Sequence, residues 1–141
     1  MPRRWGLGLA ALAAASGLSV SSLQAQAEEK TVSQRAIAAL TSFSIAYAAW
    51  VWESRCHELD SARRDGFKNQ IESELLRLNA IFEPRLVGAA TGAGHDTANS
   101  PAMVACDGDN AGFAAFGIKM AGDVDDALRT IPADYRLTVT P

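Results

Sequence analysis

The chain has 141 residues, with 13 Lys+Arg against 16 Asp+Glu and a formal net charge of −3. That acidic balance, without a lysine-rich tract or a basic stripe interleaved with aromatics, argues against nucleic acid and anionic membrane as partners. Two cysteines and two histidines fall short of the three or four closely spaced ligands that mark a zinc site.

Residues 1–27 read as a secretory signal peptide. A short basic start with Arg3 and Arg4 leads into an uncharged stretch, and Ala25-Gln26-Ala27 offers small residues two apart for signal peptidase. Cleavage after Ala27 leaves one domain at 28–141, placed in the periplasm or secreted. Without Arg3 and Arg4 the count is 11 Lys+Arg against 16 Asp+Glu, a net charge of −5.

Residues 32–59 contain no Pro and no Gly, and Thr31 can cap them, so they read as one long helix. At 100° per residue it has two apolar faces. Ala36, Leu40, Phe43, Tyr47 and Trp50 share one; Ala38, Ile45, Ala48, Trp52 and Cys56 share roughly the opposite one. Trp50 and Trp52 therefore point apart. Such a helix is the central element of its domain, or one face meets another subunit. Residues 36–52 carry no charge, at the short limit for a membrane span, but are rich in Ala and Ser. They read as buried core, with no stable membrane insertion after signal cleavage.

A second helix starts at Asp60 or Ser61 and buries Phe67, Ile71, Leu75, Leu78 and Phe82; Arg64, Lys68 and Glu72 lie opposite, and Pro84 ends or kinks it. Residues 88–99, GAATGAGHDTAN, read as a flexible Gly/Ala-rich loop. Ser100-Pro101 reads as the start of a third helix, which DGDNAG at 107–112 interrupts. Phe113, Phe116, Met120, Val124 and Leu128 form its apolar stripe, and Pro132 stops it. Residues 133–141 read as an extended tail. The expected fold is all-α, a bundle of about three main helices with the first in the middle.

Cys56 and Cys106 lie in a chain expected to be exported, so a structural disulfide is the default. The general plan, a short helical chain with two cysteines about 50 residues apart, resembles periplasmic acid-stress chaperones. That resemblance implies apolar helix faces exposed when carboxylates protonate at low pH.

Marked chemistry is sparse. His57 adjoins Cys56, but neighbours on a helix diverge by about 100°, which does not suit a thiol and its base. Glu53, one turn before His57, is placed to pair with it. Asp107, Asp109 and Gly112 match positions one, three and six of a calcium loop, but Ala111 and Ile118 stand where two further ligands are needed. Asp123, Asp125 and Asp126 complete a metal site only if the chain folds back. There is no phosphate loop and no G-x-S-x-G elbow. The residues thus point to a non-enzymatic protein without cofactors. It would bind a protein partner, or a second copy of itself, through Phe43, Tyr47, Trp50 and Trp52, as an accessory, inhibitor or immunity-type protein.

Overall fold

The computed structural model describes residues 13–138. Their regular structure is helical throughout: α1 (Ala13–Cys56), α2 (Ser61–Ile81), α3 (Pro84–Ala98), a single 3-10 turn (Gly108–Asn110) and α4 (Phe113–Arg129). The described residues thus hold four α-helices where about three were expected. The chain divides into two compact units, Met1–Ser33 and Gln34–Pro141. Of the expected signal peptide, residues 1–12 lie outside the described ones, and the rest is the first part of α1. The second unit holds the core.

Within that unit α1 meets α2, α3 and α4, which cover its first apolar face and the C-terminal part of its second. Trp50 meets Phe67 of α2 edge-on with ring centroids 5.7 Å apart, and Trp52 meets Phe113 of α4 edge-on at 5.9 Å. Ser44 Oγ donates to the Ala90 carbonyl of α3 at 2.9 Å. Thr31–Cys56 is long and apolar enough to cross a membrane by length and composition. Phe43, Trp52 and the alanines at 36, 39, 46 and 49 are nevertheless buried by the other helices, as in the core helix of a bundle. The second face is covered only from Ala48 onward; Ala38 and Ile45 remain exposed.

α2 follows its sequence pattern. Asp60 caps it by accepting from the Arg63 N–H at 2.9 Å, and Phe67, Ile71, Leu78 and Phe82 are buried. Pro84 does more than end α2: it stands at the first position of α3, where its missing N–H costs nothing.

Residues 88–99, expected as a loop, are a correction: 84–98 form α3. At one of them, Gly94, the missing side chain is a packing requirement. A Cβ on Gly94 would lie 2.7 Å from the Ser44 carbonyl and 3.1 Å from the Tyr47 ring, so only glycine lets α3 approach α1 this closely. Helix propensity is a weak prior that such contacts override.

The third expected helix is also corrected. Ser100-Pro101 opens a run of turns, and the helix begins only at Phe113, after Gly112 at φ 87°. Its buried face is Ala114, Gly117, Ala121, Val124 and Leu128, which leaves Phe116 outside. Close approach again decides the register: any side chain at Gly117 would collide with Ala49 and the Phe67 ring. Beyond α4 the chain is irregular, and the Leu137 N–H donates to the Ile81 carbonyl at 2.9 Å.

Candidate functional site

α1 ends at Cys56 because His57 takes a positive φ of 53°, with its N–H on the Glu53 carbonyl at 2.8 Å. Glu53 does not pair with His57 as expected. It turns inward and is fully buried, and its carboxylate accepts from the Glu58 and Leu59 N–H groups at 2.9 Å each and from Arg64 Nε at 3.1 Å. Arg64 Nη2 also donates to the Leu59 carbonyl at 2.7 Å. One buried carboxylate thus fixes the whole α1–α2 turn. Its sequence signal was an acid at the end of an uncharged run, with an arginine eleven residues on.

Cys56 is bonded to Cys106, with Cα atoms 5.3 Å apart. Cys106 lies in a non-helical segment and is exposed, not on a buried helical stripe as an unbroken third helix would place it. This segment, residues 99–112, is held tightly despite its composition. Trp52 Nε1 donates to the Ala105 carbonyl at 3.2 Å. Arg55 donates to Asn99 Oδ1 at 3.0 Å and to the carbonyls of Ala98 and Met103 at 3.1 and 3.3 Å. Asn110, nearly buried, donates to the carbonyls of Ala102 and Ala105 at 3.1 and 2.8 Å. The Gly112 N–H donates to the Glu58 carboxylate at 2.9 Å. The segment presents Val104 (53% exposed), and at its far end Phe113 stacks on Phe116 (46% exposed). Asn110 was read only as part of a calcium-like motif; its actual work is to satisfy carbonyls that no helix satisfies.

The expected interface residues are divided. Phe43 and Trp52 are fully buried in the core, so they are not available to a partner of the folded chain. Tyr47 and Trp50 are half-buried, the first against Phe43 and the second against Phe67. Sequence periodicity marks a residue as apolar-facing; it does not say whether another helix of the same chain covers it.

The five aspartates do not assemble. Among the described residues no group of three His, Cys, Asp or Glu could hold a metal. Asp107 and Asp109 sit at the 3-10 turn, Asp126 pairs with Arg129 at 3.1 Å, and Asp125 accepts from Gln70 Nε2 at 2.8 Å. A buried acid outside the expected set is Glu74 of α2. Desolvation, followed by the Asp125 charge and hydrogen bond, pushes its carboxyl up to about 9. Its signal was positional: Phe67, Ile71, Glu74, Leu78 and Ile81 are the true buried stripe of α2.

The disulfide fits an oxidising compartment. The chain matches no family model, no curated protein and no solved structure.

Proposed function

We propose that this chain is exported, cleaved after Ala27, and acts as a non-enzymatic binding protein. Its contact surface is the disulfide-held segment 99–112 with the adjoining Phe116. One observation carries this reading: an irregular, solvent-facing segment is fixed by a covalent bridge and a dense set of hydrogen bonds to the end of α1. Binding residues sit disproportionately on loops held by a rigid scaffold, and a surface ordered beforehand loses less entropy on association. Phe116 supplies an aromatic anchor of the kind that dominates interface energetics.

The test is site-specific photo-crosslinking in the exported protein. A photoreactive side chain at position 104 or 116 is expected to capture one and the same protein, identified by mass as another chain or a second copy. The same group at Leu76, 75% exposed on α2, is expected to capture nothing. Equal capture at all three positions, or none at any, contradicts the proposal.

A further inference from the structure

α2 and α4 pack with an acid sealed between them. Glu74 is 0% exposed, and neither of its carboxyl oxygens meets a hydrogen-bond donor. Asp125 of α4 faces it, with Oδ2 engaged by Gln70. Among the described residues no ion pair joins a basic group to Glu74 or Asp125, and Arg35 Nε is itself buried without a partner. Arg77 Nη2 donates to the Leu128 carbonyl at 2.7 Å, and Arg35 Nη2 of α1 donates to the Thr130 carbonyl at 3.3 Å. The remaining charges of these helices pair elsewhere or face solvent: Lys68 with Glu72, Asp126 with Arg129, and on α3 His95 and Asp96 at the surface.

A fully buried carboxyl that meets no donor and faces a second carboxyl is costly to ionise. Something must neutralise it. A hard cation takes six or more oxygen ligands, and no third acidic or imidazole group joins these two among the described residues. The Glu74 oxygens are also shut off from solvent on every side. A proton is the neutraliser that fits the space.

We infer that Glu74 holds a proton at the α2–α4 seam, facing Asp125, and that its loss releases the C-terminal half of α4, opening the body at the end away from the disulfide. The place of opening follows from the ties. The N-terminal end of α4 is anchored by Phe113 on Trp52 and by the Gly112 N–H on Glu58, next to the Cys56–Cys106 bridge. The C-terminal half is held by the seam, with Gln70 on Asp125 and Arg77 on the Leu128 carbonyl, by Arg35 of α1 on the Thr130 carbonyl, and by the burial of Val124 and Leu128. The acid in the folded chain titrates at about 9, above its ordinary value of 4.5. Its stabilising contribution is therefore complete below about pH 4.5 and is lost as pH rises through about 9.

Amide hydrogen exchange on the oxidised protein at pH 5, 7 and 9, corrected for intrinsic rates, tests this. Protection of residues 124–130 is expected to fall by up to about tenfold per pH unit, as release of one proton requires. Protection of residues 114–117 should change little, and Glu74→Gln should remove the trend at 124–130. The same trend in Glu74→Gln, or a uniform loss along α4, overturns the inference. If that variant does not fold, Asp125→Asn serves. It replaces the repelling charge with an amide donor, so the trend should become shallower, and an unchanged trend overturns the inference. Carbon-13 titration of the Glu74 carboxyl needs no variant. A midpoint several units above the ordinary value supports a proton held on Glu74, and one near 4.5 overturns it.

Discussion

Glu53→Ala is expected to lower stability by roughly 3–5 kcal/mol, the cost of breaking a buried pair by removing one partner. The substitution strands three donors at once: the Glu58 and Leu59 N–H groups and the Arg64 guanidinium. The Arg64 side chain is 24% exposed and Glu53 is 0% exposed, so water can rescue only part of the loss. Arg64→Ala should also be costly, because it leaves the carboxylate buried with two backbone donors and no counter-charge. The pair acts as a unit, so the double variant should be less damaging than the sum of the singles by about 1–3 kcal/mol. Urea denaturation of the two singles and the double gives this coupling directly. A coupling near zero would mean that the α1–α2 turn is held by something other than this carboxylate.

The second large effect concerns the bridge. Cys56→Ser with Cys106→Ser opens a loop of sequence separation 50. Loop-closure entropy then predicts a loss of about 4 kcal/mol, acting through the unfolded chain. For a body of this size that corresponds to about 20 °C in thermal midpoint. The folded arrangement should persist below the new midpoint, because Trp52, Arg55, Asn110 and Glu58 hold the same segment without the bridge. Helical circular dichroism should therefore match the oxidised protein at low temperature while the melting curve shifts down. An unshifted curve would show that the bridge is dispensable for stability.

How much of this was legible in the sequence varied from element to element. The bounds of α2 and most of its buried face could be read, since Asp60, the Phe67–Ile71–Leu78 spacing and Pro84 are local signals with local causes; Leu75 was expected buried and is only half so, while Glu74 and Ile81 were missed. The divergence of Trp50 and Trp52 and the Cys56–Cys106 pairing were legible too. The failures share one physical origin. α3 and the true register of α4 depend on how closely backbones approach, at Gly94 over Ser44 and at Gly117 over Ala49 and Phe67. A composition that reads locally as loop is, in the fold, the condition for close packing. The site was legible only in part. Glu53 and Asn110 matter through hydrogen bonds to backbone groups five to eight residues on or back, and for Glu53 to Arg64, which helical periodicity does not mark. The aromatics expected at an interface are largely claimed by the core.

The account rests on residues 99–112 being a fixed surface in spite of their irregular backbone. Amide hydrogen exchange of this segment in the oxidised protein at neutral pH addresses that directly. The N–H groups of Met103, Val104, Asn110, Ala111 and Gly112, each bonded to an acceptor in the fold, are expected to exchange far more slowly than an unstructured chain. Exchange at unstructured rates across the segment would contradict the account, because a mobile segment tethered only by its disulfide could not serve as a surface ordered in advance.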